Sequence, residues 1–255
     1  MSTVKLAFTA YGSPTAKPLI ILHGFFASSR NWRLIAEQLA NDYYVIVPDL
    51  RNHGASPHHE CMDYPSMSAD LSALIADLGF AEISLLGHSM GGKVAMWYAL
   101  HHPERVAKLL IADISPVAYS HSFAKLINAL HALPLDRLTN RKQAENFLAE
   151  AIPDLSYRQF LLQNLILEAH QYRWRINLEI FRANADYITG FPDTASVSAY
   201  TKPVLFLAGA MSDYVKPDSL PELFPNAIIE KIAGAAHWLH VQQPRLFLAE
   251  VRRFL

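Results

Sequence analysis

One cysteine in 255 residues, Cys61, leaves no partner for an intramolecular disulfide, so the fold must rest on its core alone. Its thiol reads as a surface or half-buried group. Charge of one sign is also missing: 22 Lys and Arg stand against 23 Asp and Glu. Without a long-range field, nucleic acid and anionic membrane are not expected partners. No apolar run approaches the roughly 18 residues that a membrane span requires. The opening Ser2-Thr3-Val4-Lys5-Leu6 shows no basic region followed by an apolar stretch. These absences predict a soluble protein of a reducing compartment, most simply the cytoplasm. No metal-ligand spacing and no phosphate-cradling loop occurs, so neither metal nor cofactor is expected. Glycine is scarce as well, ten in all, yet three of them, Gly87, Gly91 and Gly92, fall within six residues.

Apolar residues make up 51% of the chain, enough for one sizeable core. Short apolar runs alternate with helical patterns. Val4 to Tyr11, Leu19 to Leu22, Tyr43 to Val47, Ile83 to Leu86 and Lys108 to Ala112 read as strands. Helices are expected from Ser28 through Leu39, over Tyr64 to Leu78 and after Ser89. That rhythm predicts an α/β fold, a mostly parallel twisted sheet flanked by helices. Between 117 and 200 the strand rhythm stops. Helices alone are expected there, around Phe123 to Leu130, Lys142 to Ile152, Tyr157 to Ala169 and Leu178 to Ile188. Strands resume at Val204 to Gly209 and Ile228 to Ile232, and Arg245 to Phe254 closes the chain as a helix. Residues 1–116 and 201–255 therefore read as one core domain, with 117–200 as an inserted helical cap, or lid.

Gly87-His88-Ser89-Met90-Gly91 lies between a strand and a helix. Such a turn lifts the middle hydroxyl clear of the sheet, beside the backbone N–H groups that open the helix. Ser89 is thus the candidate nucleophile. A serine hydroxyl needs a base, and among twelve histidines His237 is favoured because it follows the last strand at the same sheet edge. His88 adjoins Ser89 but should point away from it. Two strand-end aspartates qualify as the supporting acid, Asp113 and Asp213, and both keep the chain order Ser, Asp, His. The N–H of Met90 and that of Phe25, in the His23-Gly24-Phe25 loop, are the candidate oxyanion donors. His23 should brace that loop, and Asp49 and Arg51 should pair to fix theirs.

His23-Gly24, Asp49-Leu50-Arg51-Asn52-His53-Gly54-Ala55-Ser56, Gly87 to Lys93 and Gly234-Ala235-Ala236-His237-Trp238 together resemble the α/β-hydrolase superfamily. Asn52, Lys93 and the run Ala112 to Val117 are similar to the YbfF-type bacterial esterases, relatives of the mitochondrial abhydrolase-domain proteins. The resemblance implies the α/β-hydrolase fold and bears on the acid. Many superfamily members carry it as Gly-x-x-Asp after the post-cap strand, where this chain has Ser212, with Asp213 one residue late. The YbfF-type pattern uses an aspartate corresponding to Asp113, with a serine near the usual acid position. Asp113 is favoured accordingly, Asp213 is the alternative, and Ser212 becomes an auxiliary donor.

The function expected is a serine hydrolase, a carboxylesterase or acyl thioesterase, cleaving short-to-medium acyl esters. Its partner is then a small acyl ester or thioester. The cap residues Phe123, Leu126, Leu130, Phe160 and Trp174 are expected either to meet the acyl chain or to be plain core, while Arg173, Arg175 and Lys125 are expected at the solvated surface, with an acidic moiety as their alternative partner. Two other readings stand beside this one: a carbon–carbon bond hydrolase or lyase on an oxo acid, and a slow-turnover ligand-binding signalling protein. Oligomeric state is not readable.

Overall fold

The computed structural model describes residues 2–255; Met1, the first residue of the expected core segment, lies outside them. The chain opens with β1 (Phe8–Tyr11), shorter than the expected strand from Val4, and β2 (Lys17–Leu22). A 3-10 turn leads into α1 (Arg33–Leu39), then β3 (Tyr43–Pro48), α2 (Tyr64–Asp77), β4 (Ile83–His88), α3 (Met90–His101) and β5 (Val106–Ala112). The intervening segment holds α4 (Ala124–His131), α5 (Arg141–Phe147), α6 (Leu155–Leu162), β6 (Leu165–Glu168), β7 (Gln171–Trp174) and α7 (Leu178–Thr189). The chain then returns as β8 (Val204–Gly209) and β9 (Ala227–Ile232), and ends in α8 (Leu239–Gln242) and α9 (Pro244–Phe254).

Seven strands form one sheet in the order β1-β3-β2-β4-β5-β8-β9. Only the β1–β3 pairing is antiparallel. Alternate residues of the apolar strands enter opposite cores: Ile20, Leu22, Ile46 and Leu85 one side, Leu19, Ile21, Val45 and Leu86 the other. A continuous apolar run is what a strand covered on both faces requires. The parallel strands all end at one edge, so the loops after β2, β4, β5 and β9 converge there.

The expectation of helices alone between 117 and 200 is corrected. Helix α6 stops at Leu162, and Leu165–Glu168 pairs antiparallel with Gln171–Trp174 as a hairpin. Ala169 and His170 reverse the chain with φ of 46° and 65°, the left-handed pair that suits a two-residue hairpin turn. Asn140, Asp154 and Asn177 cap α5, α6 and α7 by accepting backbone N–H bonds.

Hydrogen bonds tie this segment to the loop after β2 and to the start of α2. Asn164 Nδ2 donates to Phe26 O at 2.8 Å, Met62 N donates to Asn184 Oδ1 at 3.0 Å, and Tyr64 Oη donates to Ile188 O at 2.6 Å. The expected Asp49–Arg51 pair is corrected too. Asp49 accepts instead from the Ser29 and Ala55 N–H groups, at 2.6 and 2.8 Å. Arg51 turns beneath the loop to grip both carboxylate oxygens of Asp70, at 2.6 and 2.8 Å. No helix among the described residues is long and apolar enough to cross a membrane.

Candidate active site

Ser89 joins β4 to α3 with φ 52° and ψ −122°, a conformation that costs a non-glycine residue about 1–3 kcal/mol. The turn is held by close packing: a Cβ on Gly91 would collide with the carbonyl oxygens of Leu22 and His23. Ser89 N donates to Ala112 O at 3.1 Å, fastening the turn to β5. One residue beyond that strand Asp113 also has φ 52°, and its N–H donates to Leu207 O at 2.8 Å. Two left-handed residues thus end adjacent parallel strands.

The structure brings Ser89, His237, Asp113 and Ser212 into one hydrogen-bonded row. His237 Nε2 lies 3.1 Å from Ser89 Oγ, and His237 Nδ1 lies 2.8 Å from Asp113 Oδ2. Ser212 Oγ donates to the same Oδ2 at 2.5 Å, and Gly209 N donates to Oδ1 at 2.9 Å. Burial pushes the Asp113 carboxyl upward, but the bonds from His237, Ser212 and the Gly209 N–H outweigh it and hold it below its ordinary value. An ionised Asp113 can only accept, so Nδ1 of the imidazole carries the proton and Nε2 presents a lone pair toward Ser89. Asp213 is not part of the row. Its side chain is 90% exposed and faces Lys216 Nζ at 3.4 Å.

Residues 17–244 match the family described as alpha/beta hydrolase fold. The chain belongs to that family. Among its relatives, sn-1-specific diacylglycerol lipase ABHD11 of Xenopus laevis is 38% identical, the match covering 99% of this chain and 84% of that protein. Esterase YbfF of Escherichia coli is 32% identical over 98% of this chain and 97% of its own length. A solved structure titled marine microorganism esterase superposes with a TM-score of 0.95 at 38% identity, covering 99% of this chain and 100% of that one.

In this alpha/beta hydrolase the loop after β2 approaches Ser89 closely, since a Cβ on Gly24 would sit 3.3 Å from the Ser89 Cβ. Among the described residues the N–H groups of Phe25 and Met90 donate to no protein acceptor. His23 braces the loop: Leu50 N donates to its Nε2 at 3.0 Å, which leaves Nδ1 to donate to Gly24 O at 2.9 Å.

Sequence reasoning missed the residues that hold His237. His88 does turn away from Ser89, and its Nε2 donates to His237 O at 2.8 Å. Burial, and then the neighbouring His237, pull the His88 pKa down to about 3, so it stays a neutral donor. The Tyr214 ring stacks on the His237 imidazole at 4.2 Å and 26°. Adjacency of His88 to the serine was the only signal available for the first. For the second there was none.

A cavity of about 780 Å³ opens onto Ser89 and His237, with Ile114, Phe123, Phe160, Ile188 and Trp238 among its walls. Of the expected acyl-contacting side chains, Phe123 and Phe160 line it. Leu126, Leu130 and Trp174 pack into the core instead. Arg173, Arg175 and Lys125 are absent from its walls, and Arg173 pairs with Glu168. Three other cations line it, Arg30, Lys93 and Arg141. Lys93 and Arg141 each donate to two backbone carbonyls.

Proposed function

We propose that this chain is a serine hydrolase of carboxylic esters or acyl thioesters, working through an acyl-enzyme. Ser89 attacks the acyl carbonyl as His237 takes its proton, and the Phe25 and Met90 N–H groups receive the developing oxyanion. Asp113 keeps the imidazole in the required tautomer and stabilises the imidazolium, and Ser212 steadies Asp113. His237 then protonates the leaving oxygen or sulfur and activates the water that frees the acid. The observation that carries the reading is the continuous row from Ser89 Oγ through His237 to Asp113, at 3.1 and 2.8 Å. The names of the similar relatives, two of them esterases and one a lipase, support ester chemistry.

The segment 117–200 serves as a lid in this reading. Its Phe123 and Phe160, with Ile114 from the core side, make an apolar site suited to a short-to-medium acyl chain. Carbon–carbon bond cleavage of an oxo acid would call for a free cation deep in the pocket, and Lys93 is already bonded to the Thr189 and Gly190 carbonyls.

Replacing Ser89 with alanine tests the proposal directly. Hydrolysis of p-nitrophenyl butyrate and labelling by a fluorophosphonate should both vanish, with the circular dichroism spectrum unchanged. Turnover persisting in the variant would reject the nucleophile.

A further inference from the structure

Lys93 is a lysine 1% exposed, one helical turn beyond Ser89 on α3. Among the described residues no carboxylate lies within ion-pair distance of it. Its ammonium donates to Thr189 O at 2.9 Å and Gly190 O at 2.5 Å, at the end of α7, and stands 4.7 Å from the centre of the Tyr119 ring. Burial alone pulls its pKa down to about 7. A buried charge of this kind is a poor source of stability, because an apolar group of the same size avoids the desolvation cost. Nor is it needed to fasten α7, which Asn184 and Tyr64 already anchor to the core.

Its distinctive neighbour is Tyr119. That residue is held on three sides: its N–H donates to the same Thr189 carbonyl at 3.0 Å, its ring faces the ammonium, and its hydroxyl accepts from Ser115 N at 2.9 Å. The hydroxyl in turn donates to Tyr214 O, and the Tyr214 ring lies on the His237 imidazole. A connected path therefore runs from the helix that follows Ser89, along the cavity wall, to the face of the imidazole.

We infer that Lys93, Tyr119 and Tyr214 are positioning residues that set the His237 ring relative to Ser89. The ammonium fixes the Tyr119 ring by a cation–π contact and through the shared Thr189 carbonyl. Tyr119 fixes the backbone of Tyr214, and the Tyr214 ring limits rotation of the imidazole. Lys93, Tyr119 and Tyr214 also line the cavity, but a tilt that lengthens the Ser89–His237 bond slows proton transfer while Phe123, Phe160 and Ile114, the walls assigned to the acyl chain, stay in place. The inference rests on the serine-hydrolase reading above.

The test uses the full chain with Lys93→Met and Tyr119→Phe, each close in size to the original, assayed on p-nitrophenyl butyrate well below the melting transition. Both should lower kcat by about tenfold, with KM moved by less than about twofold, as expected when a transition-state interaction is lost. Lys93→Met should keep or raise Tm, which a stability role would not allow. The double variant should be no worse than about twofold below the poorer single one, because the two changes break one path. Wild-type kcat in both variants would overturn the inference, as would loss of activity tracking a fall in Tm. Fluorophosphonate labelling of wild type and Ser89→Ala runs alongside. If Ser89 is not the labelled residue, the hydrolase reading itself fails; if it is, and kcat is unmoved in both variants, only the positioning role does.

Discussion

Asp113 and Asp213 show how little separates a buried acid from a surface one in a linear chain. Both follow apolar strands, yet Asp113 is fully buried between two backbone-anchored strands while Asp213 faces solvent beside Lys216. In Asp113→Asn the amide would donate to His237 Nδ1, leaving the proton on Nε2 where it cannot accept from Ser89. The expected loss in kcat is about 10³–10⁴-fold, read from steady-state hydrolysis of a simple ester. Asp213→Asn removes only an exposed ion pair and should stay within about twofold of wild type. Resemblance, rather than residue pattern, was what separated the two in the sequence. The positions of His23 and Gly24 were legible from chain order alone, because a loop that ends a central strand has few places to go. Tyr119, Tyr214 and Lys93 were not, since nothing in their spacing marks a path that exists only after α7 has packed.

At the scale of elements, the sheet was readable and the insertion only partly so. Apolar runs four to seven residues long, closed by Gly, Pro or Asp, have one good use, as strands buried on both faces. Leu165–Glu168 is different. Three apolar residues in four, following a helical stripe, look like one more helical turn, and only the pairing with Gln171–Trp174 settles them as a strand. Leu165 is buried there while Leu167 is 60% exposed, so the run gives no uniform burial pattern to read. The turn between α6 and this hairpin carries Asn164, whose bond to Phe26 O joins the insertion to the loop bearing the Phe25 N–H. Asn164→Ala leaves that buried carbonyl without its donor and should lower stability by about 1–3 kcal/mol, read from the urea midpoint. It should also reduce kcat for small esters more than it raises KM, because the proposed mechanism gives the loosened loop the oxyanion to hold.

Taken whole, the molecule carries an unusual load of buried neutral imidazoles. Burial lowers the pKa values of His23, His53, His88 and His240 below the ordinary 6.5, that of His88 to about 3. The unfolded chain takes up these protons as pH falls through about 6.5, and the folded chain takes them up only at lower pH. Their contribution is therefore complete above pH 6.5 and is lost progressively below it, by about 1.4 kcal/mol per pH unit for each histidine that stays neutral. Urea midpoints measured from pH 7.5 to 5 should fall steeply. His240 stacks on Trp32 at 4.1 Å and 8°, and its Nδ1 has no hydrogen-bond partner. His240→Phe should hold its stability at pH 7.5 and flatten the acid slope by about one proton's worth. A slope unchanged in that variant would show that His240 is not among the groups responsible.

Ser89 and Asp113 sit on a single stretch of chain, β4–α3–β5, that is complete before the insertion begins. His237 and Ser212 come from beyond it. Under the proposed function, exchanging the span from 117 to 200 would leave Ser89 and Asp113 on intact chain but would remove Tyr119 and Asn164, which hold the Tyr214 backbone and the Phe26 carbonyl. On the same reading, a new span would exchange the walls that Phe123 and Phe160 supply and keep those that Ile114 and Trp238 supply from the core.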